Sequence, residues 1–363
     1  MNAISLFSGM GGDTLGLQNA GLEVIAYNEN NGAAQETHRA NFAGSQLIDA
    51  SGNSNIREIP DAIIEQYRGR GVRAIFAGFP CQGFSQAGKK LPEDPRNTLF
   101  REFARFVRII QPDIILGENV KGILKRETPD HEVFRDIIVR EFEGMGYTMA
   151  VDLVKCVNYG VPQLRERVLF LGVRRPYPGL TVYQPEPPVP LPSIRHIINF
   201  DMTGALKIPD QVNIPELIGE GWENKVLTNM ENDEDTNNPH PYLLSKVVEG
   251  VTVGTERPWV YKGKTYAHLI KFGKRDPVGI EILDLDKPCK TIISSYDHQP
   301  RLFICLRNRR GFYLRPLLVD EAKQIQGFPP DFVVRGNTKQ KYTQIGNAVP
   351  PPVISAVIGS VLG

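Results

Sequence analysis

A chain of 363 residues with 41% hydrophobic residues is long enough for two domains, or for one domain with a large insertion. Its net charge of +1 gives no overall reason to expect a polyanionic partner, and no apolar run reaches the length of a membrane span. The four cysteines and six histidines are scattered, which argues against a disulfide framework and against a metal site. Because no basic, apolar leader is recognisable, we expect an intracellular protein.

The first 49 residues combine strands with features typical of a nucleoside-binding site. A short strand at 3–7 runs into a glycine turn, which lets backbone approach a cofactor, and a helix at about 13–21 follows it. A second strand at 22–27 is followed by Glu29, at the spacing where a carboxylate meets ribose hydroxyls. A third strand ends in Asp49, which is placed to hold a base amino group. The alternative for Glu29 is a solvated loop acid.

The next strand, at 72–77, ends in a turn that carries a thiol. It follows a helical segment predicted at about 56–67 and runs into Gly-Phe-Pro-Cys-Gln-Gly, which places Cys81 at the carboxyl end of the strand. Ligands of open α/β sheets bind at that end. A further strand at 113–116 leads to Glu118 at the same edge. A lone cysteine is more often a buried apolar residue than a nucleophile, so Cys81 gains significance only from this neighbour.

Two arginines stand between the last strands of this region. Helices are predicted at about 97–110 and 133–142, and an antiparallel hairpin is predicted from strands at 147–154 and 167–173. Arg165 and Arg167, two residues apart on an extended segment, point the same way and suit binding of an anion or a carboxylate. The alternative is a solvated strand end.

The composition changes at Pro176, where a proline-rich linker begins. Residues 201–256 hold three Lys/Arg against eleven Asp/Glu, and residues 257–315 hold thirteen against five. The basic half suits a polyanion, although the two halves could instead neutralise each other. The α/β pattern returns near Leu314, with helices at 319–326 and 351–362.

These motifs together resemble the DNA cytosine-5 methyltransferase family, in the order that the family has them. The matching segments are FSGMGG (7–12), GFPCQGFS (78–85), ENV (118–120), QLRER (163–167), RPLLVDEAKQIQGFP (315–329) and GNAVPPPV (346–353). The resemblance implies an α/β fold: a Rossmann-like S-adenosylmethionine-dependent methyltransferase sheet in a catalytic domain at 1–175, completed by 313–363. Residues 176–312 would form a separate, irregular, mostly β target-recognition domain.

The resemblance also implies the chemistry and its residues. Cys81 would add to carbon 6 of a flipped-out cytosine in a specific duplex DNA sequence, and carbon 5 would then take the methyl group. Glu118 would act at ring nitrogen 3, beside Asn119. Arg165 would orient the base and the glutamate, whereas Arg167 would be more structural. The cofactor would be S-adenosyl-L-methionine, with S-adenosyl-L-homocysteine as product and no metal.

Further positions follow from the same resemblance. The cofactor-binding residues would be Phe7, Gly9, Gly11, Gly12, Glu29, Asn30, Asp49, Pro80, Leu99 and Asn347. The DNA-binding residues would be Ser85, Gln86, Lys89, Lys90, Lys271, Lys274, Arg275, Thr291, Tyr296, His298 and Arg301. The implied partner is double-stranded DNA, bound by a monomer without a membrane. A cognate restriction endonuclease would act separately on the same site. The implied location is the prokaryotic cytoplasm, or the enzyme is virus-encoded and intracellular.

Two positions depart from the family pattern, and two other functions compete. Asn31 replaces the usual second acid after Glu29, and Asp320 replaces the usual arginine of the segment that braces the recognition domain. One alternative is a cytosine-5 methyltransferase acting on transfer RNA, against which Gly83 and the long insert argue. The other is a catalytically silent DNA-binding regulator of the same fold.

Overall fold

The computed structural model describes two compact units of the chain. Its described residues are 1–80, 99–128, 131–174, 176–208, 210, 213–215, 219–235, 240, 281–298 and 300–362, and the strand backbones at 245–248, 251–254, 259–261 and 264–266. The first unit comprises Met1–Pro188, Gly327–Gly336 and Asn347–Gly363, and the second comprises Val189–Gln326 and Asn337–Gly346. Outside the described residues lie the predicted nucleophile Cys81 and the predicted DNA-binding residues Ser85, Gln86, Lys89, Lys90, Lys271, Lys274 and Arg275.

The first unit is organised around one seven-stranded sheet. The strands of this unit are β1 (Asn2–Leu6), β2 (Glu23–Asn28), β3 (Gln46–Leu47), β4 (Val72–Ala77), β5 (Ile114–Asn119), β6 (Thr148–Lys155), β7 (Gln163–Leu164) and β8 (Glu166–Val173), and all of these except β7 belong to the sheet. The sheet order is β3-β2-β1-β4-β5-β8-β6. Strands β1 to β5 are parallel, and β8 pairs antiparallel with both β5 and β6. The predicted antiparallel pairing at 147–173 is confirmed.

Helices of the first unit cover both faces of this sheet. They are α1 (Gly12–Asn19), α2 (Gly32–Asn41), α3 (Asp61–Glu65), α4 (Phe100–Ile110), α5 (Phe134–Glu143) and α8 (Pro351–Leu362). Helix α6 (Val319–Ile325) and all but the last residue of α7 (Thr338–Asn347) belong to the second unit. Alternate strand residues enter opposite cores: Ile75 packs with Phe103 of α4, whereas Phe76 packs with Ile354 of α8. Burial on both faces explains the nearly continuous apolar strands.

The predicted helix at 56–67 is wrong in one respect, because Pro60 divides it. A 3-10 turn at Ile56–Glu58 precedes Pro60, and α3 begins at Asp61. Proline has no N–H to continue a helical hydrogen-bond ladder but is well suited to the start of a helix.

The C-terminal segment belongs to the core. The stretch Thr338–Leu362 is long and apolar enough to cross a membrane by composition alone, but 61% of its most apolar window is buried within the protein. Helix α8 lies so close to α1 that a Cβ atom added at Gly16 would come within 2.6 Å of Ile354 Cβ. The apolarity of α8 therefore serves core packing.

The second unit consists mainly of short strands. They are β9 (Leu206–Lys207), β10 (Val226–Thr228), β11 (Ser245–Val248), β12 (Val251–Gly254), β13 (Trp259–Tyr261), β14 (Lys264–Tyr266), β15 (Glu281–Ile282), β16 (Cys289–Lys290), β17 (Leu302–Asn308) and β18 (Gly311–Pro316). Its largest sheet has the order β10-β17-β18-β9, with β15 also paired to β17. A small apolar core contains Phe303, Cys305 and Leu314.

Candidate active site

The carboxyl ends of β1 and β2 form one half of the site. The backbone N–H of Gly9 donates to Glu29 Oε2 at 2.9 Å, and that of Asn31 donates to Oε1 at 2.7 Å. Burial raises the pKa of Glu29, and these backbone donors oppose that rise. The predicted glycine turn and the predicted acid are thus joined directly. A carboxylate held in this way suits hydroxyl donors such as those of a ribose.

The residues of this half leave room for a cofactor. A Cβ atom added at Gly9 would meet nothing within 4 Å. Phe7, Asp49, Pro80 and Leu99 are half-buried, whereas Asn30 and Asn347 are exposed. Open space beside Gly9 and a carboxylate acceptor at Glu29 are what the ribose of a nucleoside cofactor would require.

Two other glycines of the turn, Gly11 and Gly12, are buried and packed against protein. A Cβ atom at Gly11 would lie 2.3 Å from Phe42 Cε2, and one at Gly12 would lie 2.2 Å from the carbonyl oxygen of Val349. The absence of a side chain at these two positions is therefore required by packing. Of the glycines in the turn, Gly9 is the one that faces open space.

Asn31, the first departure from the family pattern, has a structural role here. Its side-chain oxygen accepts a hydrogen bond from Ala34 N at 3.1 Å and caps α2. Nearby, the Asn28 side chain donates to Ile48 O at 2.9 Å and to Ser54 O at 3.0 Å, which fixes the segment that carries Asp49.

Glu118 and Arg167 form the second half of the site, at the ends of β5 and β8. Arg167 Nε lies 2.6 Å from Glu118 Oε1, and each side chain is 13% exposed. A Cβ atom at Gly78, three residues before Cys81, would lie 3.8 Å from Glu118 Oε2 and 3.7 Å from Phe7 O. The carboxylate therefore stands between the cofactor edge and the turn that leads to the thiol.

The expected roles of the two arginines need correction. We expected Arg165 to orient Glu118, but Arg167 makes the ion pair. Glu118 lies opposite Leu169 in the antiparallel register, so Arg167 is its diagonal neighbour on the same face. Arg165 precedes β8, is buried, and donates from Nη2 to Ala348 O at 2.9 Å. Burial, and next the charge of Arg167, lower the pKa of Arg165 to about 9.

Asn119 connects the acid strand to the nucleophile turn. Its Nδ2 donates to Phe79 O at 3.2 Å, and its Oδ1 accepts from Val120 N at 2.8 Å. The buried amide thereby holds the backbone two residues before Cys81. These two hydrogen bonds give Asn119 a supporting role beside the nucleophile turn.

The predicted DNA-binding positions divide by exposure. His298 and Arg301 are exposed, and Thr291 is half-buried. Tyr296 is 2% exposed; its hydroxyl donates to Leu302 O at 2.6 Å and accepts from Leu317 N at 2.9 Å. Because this hydroxyl is used inside the second unit, the structure does not place it to bind DNA, the role predicted for Tyr296 from the sequence.

Part of the charge asymmetry is neutralised within the second unit. Arg310 Nε lies 3.0 Å from Asp233 Oδ1, and Lys290 pairs with Glu281. Arg310 and Lys290 of the basic half thus form ion pairs with neighbouring acids, whereas Arg301 is exposed. No group of three or more His, Cys, Asp or Glu side chains that could hold a metal ion occurs among the described residues.

Sequence reasoning missed the buried carboxyl of Asp13. It lies in the first turn of α1, hydrogen-bonded to the Ser5 hydroxyl, and is 1% exposed. Burial raises its pKa to about 7, and the charge of Glu29 adds to the rise. The sequence does show an acid directly after the glycine turn. An acid at that position is usually explained by its favourable interaction with the N-terminus of a helix, which does not indicate burial.

This carboxyl predicts a pH-dependent effect on stability. The folded pKa of about 7 exceeds the unfolded value of 3.8, so its contribution is fully present below pH 3.8 and is lost as the pH rises towards 7. Asp13→Asn is therefore expected to raise the free energy of unfolding at pH 8 by about 2–4 kcal/mol, and not at pH 4. Urea denaturation at both pH values checks this; an equal effect at both would contradict it.

The sheet and the polar groups at its carboxyl edge define a Rossmann-like methyltransferase. A sequence model of the C-5 cytosine-specific DNA methylase family matches residues 1–363, so the chain belongs to that family. It is an enzyme that methylates carbon 5 of cytosine in DNA, and methyltransferases of this family use S-adenosylmethionine. This assignment confirms the predicted family and activity.

Individual relatives agree with this assignment. The Type II methyltransferase M.DdeI of Desulfomicrobium norvegicum is 29% identical over 98% of the chain and 87% of that protein. M.Eco47II of Escherichia coli is 31% identical over 99% and 78%. A putative DNA modification methyltransferase encoded within an E. coli prophage has a similar fold, with a TM-score of 0.62 and 24% identity over 100% and 98% of the two chains. Spodoptera frugiperda DNMT2 gives 0.63 and 18%, over 100% and 99%.

Proposed function

We propose that the chain is the methyltransferase of a Type II restriction-modification system and that it acts through a covalent Cys81–cytosine intermediate. The observation that carries the catalytic proposal is the Glu118–Arg167 pair beside Gly78, three residues before the thiol. The Type II relatives support the biological role. A cognate endonuclease would recognise the same duplex sequence separately.

The residues divide the reaction as follows. Cytosine carbon 5 is a poor nucleophile, so the Cys81 thiolate adds at carbon 6 and makes carbon 5 electron-rich. Glu118, as a carboxylic acid or sharing a proton with the ring, donates to ring nitrogen 3 and relieves the negative charge that this addition creates. Arg167 holds Glu118 through their ion pair, and Arg165 holds the segment at Ala348 by donating a hydrogen bond to the Ala348 carbonyl oxygen. Carbon 5 takes the methyl group that S-adenosylmethionine would supply. A base then removes the carbon 5 proton, and the thiolate leaves from carbon 6.

The cofactor and the DNA are assigned to separate parts of the chain. Phe7, Gly9, Glu29, Asn30, Asp49, Pro80, Leu99 and Asn347 would contact the cofactor, with no metal required. The first unit would carry the catalytic and cofactor-binding residues and the second would recognise the target, with His298, Arg301 and Thr291 as candidate DNA contacts. The division expected from the sequence, with 1–175 and 313–363 catalytic and 176–312 recognising the target, differs from these units because 313–326 and 337–346 fall in the second one. We further propose a cytoplasmic monomer; sedimentation with and without duplex DNA measures its oligomeric state.

Methyl transfer and covalent trapping test this proposal. The protein is expected to transfer labelled methyl to plasmid DNA, and to form a denaturation-resistant adduct with duplex DNA that contains 5-fluorocytosine, because fluorine blocks release of the thiol. Bisulfite sequencing of the plasmid identifies the methylated cytosine. Cys81→Ala should abolish both readouts. Full activity of that variant, or preferential methylation of transfer RNA, would overturn the proposal.

A further inference from the structure

His38 of α2 is a buried side chain with contacts on two sides. Its ring stacks on that of Tyr27, with centroids 3.6 Å apart and an interplanar angle of 16°. Its Nε2 lies 3.0 Å from Thr14 Oγ1, and both residues are 0% exposed. One imidazole therefore touches the end of β2 and the first turn of α1 at the same time.

The two contacts lead to the two arms of the proposed cofactor site. Thr14 follows the glycine turn by two residues, and Tyr27 precedes Glu29 by two. A Cβ atom at Gly11 would also lie 3.1 Å from His38 Cδ2, so the ring packs on the turn itself. His38 therefore packs on both of the segments that the hydrogen bond from Gly9 N to Glu29 Oε2 joins.

The imidazole is held neutral and in one orientation. Burial lowers the pKa of His38 to about 3. Within the described residues its Nδ1 has no hydrogen-bond partner, whereas Nε2 has Thr14. At Nε2 the imidazole and the Thr14 hydroxyl are therefore hydrogen-bond partners of each other.

We propose that His38 is a positioning residue, which sets cofactor affinity by holding the glycine turn and the Glu29 arm at a fixed separation through Thr14 and Tyr27. The proposal rests on the proposed function, because both arms are assigned there to the cofactor. It concerns a residue that touches neither cofactor nor DNA. The stacking of His38 on Tyr27 holds α2 against the end of β2, and the hydrogen bond between His38 and Thr14 holds α2 against the first turn of α1.

Calorimetric titration with S-adenosylhomocysteine, combined with steady-state kinetics, tests the proposal. His38→Phe keeps an aromatic ring but removes Nε2, and Thr14→Val removes the other half of the bond. Each is expected to raise the Kd for S-adenosylhomocysteine and the KM for S-adenosylmethionine by about 3- to 10-fold, the value of one hydrogen bond. The kcat at saturating cofactor should stay within about 2-fold, and the double variant should be no weaker than either single variant. His38→Gln, which restores a hydrogen-bonding group, should recover part of the affinity.

Thr37→Val is the matched control. Thr37 is the neighbouring buried residue of α2, and its hydroxyl accepts a hydrogen bond from Arg335 N at 2.9 Å instead of contacting α1. It should lower the melting temperature without changing the Kd. An unchanged Kd in both His38→Phe and Thr14→Val, or the same loss in Thr37→Val, would overturn the proposal. If the unaltered protein does not bind S-adenosylhomocysteine, the proposed cofactor site itself fails instead.

Discussion

Replacing Glu118 by glutamine is expected to lower kcat for DNA methylation by about 10²- to 10⁴-fold, the usual contribution of a positioned acid or base. Glutamine has nearly the same shape and can still accept from Arg167, so the loss would report the missing proton chemistry. The KM for S-adenosylmethionine should change little, because Glu118 is not one of the residues that we assign to cofactor binding. Single-turnover kinetics with saturating duplex DNA measures the effect.

Arg167 should be coupled to Glu118. Arg167→Met removes the guanidinium 2.6 Å from the carboxylate, and we expect a loss of kcat smaller than that of Glu118→Gln. Because both side chains act as one unit, the double variant should be scarcely worse than Glu118→Gln alone. Additive losses would show that the arginine works independently of the acid.

A neighbouring ion pair provides the control. Lys121 Nζ lies 2.9 Å from Glu166 Oε2, on the same two strand ends, but these side chains are 61% and 37% exposed. Exposed pairs contribute little, so Lys121→Met and Glu166→Gln should leave kcat within about 3-fold at saturating DNA. Equal losses in the two pairs would argue that the strand ends, and not the Glu118 carboxyl, govern the rate.

The catalytic edge was predictable because its signals are local. A strand followed by a glycine turn, an acid or a thiol marks the carboxyl end of that strand, and parallel strands bring these ends together. The assignment of Arg167 to Glu118 was not predictable, because it depends on the register between β5 and β8, which lie about fifty residues apart in sequence. The predicted DNA contact of Tyr296 depends on tertiary structure in the same way. The sequence shows an aromatic residue in a polar loop, and only the structure shows that its hydroxyl hydrogen-bonds Leu302 and Leu317.

His38 and Asp13 were also beyond sequence reasoning. Each is a polar residue on a helix whose outward face is polar, and nothing in the spacing shows that α2 packs on the glycine turn. Conversely, Gly11 and Gly12 fitted the expected cofactor motif although the structure requires them for packing. A glycine motif indicates that another group approaches the backbone closely, but the motif does not distinguish a bound ligand from a neighbouring part of the protein.

The segment that contains the departure at Asp320 is anchored by a different residue. Asp320 is exposed and pairs with Lys323. Arg315 of β18, by contrast, is 0% exposed and uses all of its donors. Nη2 and Nη1 donate to the two carboxylate oxygens of Glu321 at 2.6 and 2.8 Å, and the remaining hydrogen bonds reach Asp201 O, Pro316 O and Asn199 O.

Arg315→Met is therefore expected to lower the free energy of unfolding of the second unit by about 3–5 kcal/mol, since it leaves the Glu321 carboxylate buried and uncompensated. Glu321→Gln should cost less, because an amide still accepts from Arg315 and from Leu318 N. Scanning calorimetry and urea denaturation of the full chain measure both.

The double variant Arg315→Met/Glu321→Met separates two explanations of that loss. If the cost comes from an unpaired buried charge, removing both charges should restore much of the stability lost in Arg315→Met, because apolar replacement of a buried pair is often close to neutral. If the double variant is as unstable as the sum of the singles, the hydrogen bonds to the carbonyls of residues 199, 201 and 316 would be the dominant contribution. We expect the first outcome, with incomplete recovery, because three carbonyl groups then lose their donors.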